Sequence, residues 1–128
     1  MNKWQWLDER DALSLHDWSL DLFGGGSGLR DRGLLLSALA RPQQLSAYGE
    51  AIDIITLAAA YTVGLVQNHP FIDGNKRIGF ILGVLFLEIN GATFVANEEQ
   101  AAAAVLALAA GELDEAGYVG FLRANVRD

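Results

Sequence analysis

Residues 54–89 read IITLAAAYTVGLVQNHPFIDGNKRIGFILGVLFLEI, and this stretch decides the architecture. Its first part, Ile54 to Val66, is apolar on nearly every side. That pattern predicts a helix buried in the centre of a domain. It is too short to span a bilayer and carries Thr56, Tyr61 and Thr62, so it predicts no membrane segment. In its last part, Ile78, Ile81, Leu82, Leu85, Phe86 and Ile89 recur with the period of a helix. Gly79 and Gly83 lie four apart on another face, where a neighbouring helix could approach closely. Between the two helices stands HPFIDGNKR, residues 69–77. It holds one of the chain's two histidines and one of its two lysines.

The flanks extend the pattern. Asp8 and Asp11 predict a capped helix over Glu9 to Phe23, lined on one side by Leu13 and Leu20 and ended by the glycine run 24–28. Asp31 caps a second helix, Arg32 to Ala40, and Pro42 is expected to stop it. A loop through Tyr48 and Gly49 leads to the central helix, expected from Glu50 to Gln67. Asn90-Gly91 ends the helix after the motif, and Thr93 to Val95 is short and extended at best. Asn97 with Gln100 caps a helix from Glu98 to Ala110. Asp114 opens a last one to Asn125, with Tyr118, Phe121 and Leu122 inward. There is no internal repeat. The expectation is an all-α, single-domain compact bundle of about six helices over residues 1–128.

Composition narrows the function. Hydrophobic residues make up 52% of the chain and cysteine is absent. Disulfides and thiolate chemistry are therefore excluded, and a cytoplasmic location is compatible. The start, MNKWQWLDERD, lacks the layout of a signal peptide. Net charge is −7 and the isoelectric point is near 4.6, with nine cationic residues. A direct nucleic-acid partner is not expected from that balance.

The polar chemistry is concentrated in the motif. Pro70 drives His69 out of the preceding helix, Phe71 can anchor the loop, and Gly74 permits a turn or close approach by a ligand. Asn75, Lys76 and Arg77 start the next helix, whose free N–H groups and dipole favour an anion. Lys76 and Arg77 add full charge suited to phosphate. Asp73 would repel a phosphate unless a divalent cation lay between them, and Mg²⁺ takes one or two carboxylates plus phosphate oxygens. A histidine at position 69 could take a proton from an incoming hydroxyl. These are the parts of a phosphoryl or nucleotidyl transfer. The plainer reading stays open at this point: Asp-Gly-Asn is ordinary turn chemistry, Asp73 or Asn75 could cap the helix, and His69 could be a structural polar group.

HPFIDGNKR resembles the signature of the Fic/Doc superfamily, His-x-Phe-x-Asp/Glu-Gly/Ala-Asn followed by Gly or Lys and then Arg. Lys76 resembles the Doc (death-on-curing) branch. FGGGSGLRDRGLLLSALARPQ (23–43) and FLEINGATF (86–94) resemble further Doc segments, so the likeness covers nearly the whole chain. It implies His69 as general base, Asp73 as Mg²⁺ ligand and Gly74 as part of an anion nest. Asn75 would hold phosphate oxygens or position the loop, and Lys76 and Arg77 would clamp phosphates. It further implies a toxin that passes a phosphate from ATP to a threonine of elongation factor Tu and is neutralised by an antitoxin folding into a groove. AMP transfer and a non-enzymatic antitoxin-binding module are the alternatives. Relatives often have glutamate where Leu36 stands.

Other features are read as structural. GGGSGLRD lacks the ending and the preceding strand of a phosphate loop. Arg30, Arg32 and Arg41 suit surface ion pairs, and His16 suits a satisfied structural histidine. Trp4, Trp6 and Trp18 are expected to form an amino-terminal packing unit.

Overall fold

The computed structural model describes residues 4–48 and 52–127. Its helices are α1 (Glu9–Phe23), α2 (Arg32–Tyr48), α3 (Ile54–Asn68), α4 (Asn75–Ile89), α5 (Glu98–Ala109) and α6 (Glu115–Ala124). Two short strands, β1 (Thr93–Phe94) and β2 (Val126–Arg127), pair antiparallel with Phe94 opposite Val126. The fold is all-α with this small ribbon at one side.

Helix α3 is the axis. Every residue from Leu57 to Val66 is buried, because α2, α4, α5 and α6 all pack around it. Its Asp53 cap accepts from Thr56 N at 2.9 Å and from Arg123 of α6 at 2.8 Å. The start expected at Glu50 lies outside the described residues, as does Gly49. Against α3, α4 presents Ile78, Gly79, Leu82, Gly83 and Phe86, all buried. The two glycines let the backbones close up, and the Thr62 hydroxyl donates to Gly79 O at 2.8 Å.

Helix α2 does not stop at Pro42, which is buried within it. An interior proline forfeits one backbone bond and costs about 3 kcal/mol. The packing of α2 along α3 outweighs that local penalty, which is why the local signal misleads. Helix α1 also differs from expectation. It buries Ala12, His16 and Ser19, while Leu13 is 36% exposed.

The amino-terminal segment is tied down by Tyr61. Its hydroxyl accepts from Leu7 N at 2.9 Å and donates to Leu7 O at 3.3 Å. Burial pushes the Tyr61 hydroxyl up to about 12, so it stays a neutral donor at any ordinary pH. Trp4 and Trp6 pack on Phe86. Trp18 does not join them: it is 52% exposed on the outer side of α1. No described helix is long and apolar enough to cross a membrane.

Candidate active site

The motif loop begins where α3 ends. His69 adopts a left-handed conformation (φ 54°, ψ 53°) and its N–H closes the helix onto Leu65 O. That backbone turns the chain sharply, and Pro70 then keeps it from resuming a helix. The His69 side chain is left exposed at the rim of a cavity.

A segment distant in sequence holds the loop in this shape. Leu29 and Phe71 form a β-bridge. Arg30 N and Asp31 N donate to Pro70 O at 2.7 and 2.9 Å, and Ile72 N donates to Gly28 O at 3.1 Å. The Arg30 side chain donates from Nε to His69 O at 2.7 Å and from Nη2 to Asn68 O at 3.0 Å. These are carbonyls a helix end leaves without intrahelical partners. Arg30 is thus a cap for α3, not half of a surface ion pair. Arg32 does pair with Glu9, and Arg41 with Glu115.

Inside the loop, Phe71 is buried and Asn75 fastens to it at both backbone groups. Asn75 Oδ1 accepts from Phe71 N and Asn75 Nδ2 donates to Phe71 O, each at 2.9 Å. Of the two roles open to Asn75, the geometry realises loop positioning.

Asp73 lies between two N–H groups. Its Oδ1 accepts from Gly74 N at 2.8 Å and its Oδ2 from Gly26 N at 3.2 Å. The Gly26 and Gly74 amides, with Arg77 and Lys76 nearby, hold this carboxyl below its ordinary 3.8. A carboxyl shifted that way contributes its interactions fully above its unfolded value and loses them as pH falls through the folded one. The expected outcome is that ¹³C NMR of the Asp73 carboxyl gives a midpoint below 3.8. A midpoint above that value would remove the argument that the two amides favour the charged form.

Neither Asp73 nor Asn75 caps α4. Its N-cap is Gly74 at φ 80°, with no side-chain cap. The first turn therefore directs uncapped N–H groups toward the cavity, as an anion site requires. Arg77 is steadied from α1: Nη1 donates to Ser19 Oγ at 3.4 Å, and the guanidinium lies 4.7 Å from the centre of the Phe23 ring. Lys76 is exposed and lines the cavity.

The cavity has a volume of about 690 Å³. His69, Asp73, Gly74, Lys76 and Arg77 line its polar end, and Phe80, Val84, Phe94, Val105 and Leu106 its apolar end. The arrangement can hold an oxyanion on the α4 terminus and an apolar or aromatic body beyond it. No described group of three or more His, Cys, Asp or Glu could hold a metal ion. The donor set fits a cation that takes Asp73 alone from the protein and fills its sphere with phosphate oxygens and water, the habit of Mg²⁺.

The six motif residues do come together, and His16 is a satisfied structural histidine as expected; the support from Gly26, Arg30, Ser19 and Phe23, and the place of His16 beneath this loop, were not foreseen. One signal was available. His16 stands four residues after Ala12 and three before Ser19, on one face of α1.

An all-α bundle with an uncapped helix start, a nearby carboxylate and a rim histidine defines a candidate phosphate-handling site. The model of the Fic/DOC family matches residues 6–87, and the chain belongs to that family. It is 32% identical over 117 residues to "Protein kinase doc" of Escherichia phage P1, covering 91% of this chain and 92% of that protein. It is 38% identical over 97 residues to "Toxin Doc" of Mycolicibacterium smegmatis, covering 73% and 70%. Both relatives are of the Doc type.

Proposed function

We propose that the protein is a Doc-type toxin that transfers the terminal phosphate of ATP to a protein hydroxyl. The observation that carries the reading is the shared cavity. It brings His69, Asp73 and the uncapped α4 start into one cavity of about 690 Å³, a size that suits a nucleotide, whose remaining lining is mostly apolar. The relative named as a protein kinase supports the choice of phosphate over AMP.

In this reading His69 accepts the proton of the target hydroxyl as its oxygen bonds to the terminal phosphorus, and ADP leaves. Lys76, Arg77 and the N–H groups of the α4 start orient the phosphate oxygens and oppose their charge. Asp73 would hold Mg²⁺, which would supply neutralisation of the nucleotide's negative charge. Lys76 also occupies space a glycine would leave open, which bears on how deep a phosphate can sit. The target is proposed as a threonine of elongation factor Tu, with translation arrest as the result. A cytoplasmic setting and neutralisation by a small antitoxin complete the proposal.

Incubation with elongation factor Tu and ATP labelled at the γ or the α position tests it. Label is expected on the factor from the γ position only, and only with Mg²⁺ present. Label from the α position would replace the reading with AMP transfer. No label from either, with toxicity intact, would leave a binding module.

A further inference from the structure

His16 is almost completely buried, at 2% exposure, under the motif loop. Its Nε2 lies 2.8 Å from Asp73 O. A carbonyl oxygen can only accept, so Nε2 carries the proton and donates. The ring stacks on Phe71 with centroids 3.8 Å apart and planes 12° from parallel. The peptide between Asp73 and Gly74 is therefore held at both ends: its carbonyl by His16, and its N–H by the Asp73 carboxylate. Gly26, just past the end of the same helix α1, holds the other carboxylate oxygen.

We propose that His16 is a positioning residue for the metal carboxylate. By fixing the Asp73 carbonyl it sets the direction of the Asp73 side chain, and α1 thereby controls the geometry of a loop that follows α3. This rests on the reading of Asp73 as the Mg²⁺ ligand. Hydrogen-bonding partners of metal ligands orient them, and losing one typically lowers metal affinity roughly 10- to 100-fold. Here the partner acts through the backbone, so the donor atom matters and the aromatic ring does not.

Two substitutions separate those features. His16→Gln keeps an N–H at a similar reach and loses the stacked ring. His16→Phe keeps the ring and loses the donor. The readouts are amide hydrogen exchange at Gly26 and Gly74 in metal-free protein, and the MgCl₂ concentration that half-saturates ATP binding by calorimetry. H16F is expected to speed exchange at both amides and raise the Mg²⁺ requirement roughly 10- to 100-fold, while H16Q stays near wild type. An impaired H16Q, or an unimpaired H16F, would overturn the proposal. Should H16F fail to fold, H16Q decides alone: a wild-type Mg²⁺ requirement supports the role, and a raised one ends it. Wild-type protein without Mg²⁺-dependent ATP binding would instead sink the functional reading, and the exchange comparison would still report whether His16 grips the loop.

Discussion

Replacing His69 with alanine is expected to lower the transfer rate roughly 10²- to 10⁴-fold, the usual contribution of a positioned general base, with Mg-ATP binding retained. The imidazole is exposed at the cavity rim, so the loop does not depend on its packing. What the loop does need at this position is the left-handed backbone at φ 54°. Alanine is strained there by roughly 1–2 kcal/mol, whereas asparagine visits that region readily. H69A and H69N should therefore lose transfer equally, and H69A should melt lower than H69N. Rate measurements on both, beside thermal melts and ATP calorimetry, make the comparison. An H69N enzyme at wild-type rate would dismiss His69 as the base. A rate loss that tracks the melting temperature would reduce the histidine to a structural role.

The largest effect on stability is expected from Gly83→Ala. A Cβ at Gly83 would run into the Thr62 hydroxyl and lie 3.0 Å from Ala58 O, which belongs to the backbone of α3. The hydroxyl could turn away only by abandoning Gly79 O, and the helix backbone cannot give locally. Overpacking of this kind costs roughly 1–3 kcal/mol. The upper end is expected here, since the buried Thr62 hydroxyl would also lose its bond to Gly79 O. Thr62→Ala should relieve part of the clash, so the double substitution should be less destabilising than the sum of the two. Urea denaturation of the four proteins measures the coupling. Strict additivity would mean that α3 and α4 move apart rather than trap the hydroxyl. Because the proposed anion site lies on the first turn of α4, such a shift should, on that proposal, also weaken ATP binding.

The helix-forming stretches of α3 and α4 were legible because each writes its burial into the chain: α3 as an unbroken apolar run, α4 as a stripe of helical period. Capping residues marked the starts of α1, α5 and α6, since Asp8, Asn97 and Asp114 each accept from an N–H three residues on. Pro42 misled because its local cost is fixed while the gain from packing α2 on α3 depends on a partner elsewhere in the chain. Trp18 misled because proximity in sequence to Trp4 and Trp6 says nothing about which side of α1 it faces.

The motif shows the same division. By itself the sequence determined that His69, Asp73, Gly74, Asn75, Lys76 and Arg77 share one interhelical loop and helix start, because chain connectivity over nine residues leaves them nowhere else to go. Only the tertiary structure decided what each could do. It fastened Asn75 to Phe71, leaned Arg77 on Ser19 and Phe23, fixed Asp73 between Gly26 and Gly74, and set Arg30 and His16 beneath the loop. Most of those partners lie 39 to 58 positions away in the chain. A contact across such a separation leaves no local periodicity, and it exists because α1 packs against α4 and α2.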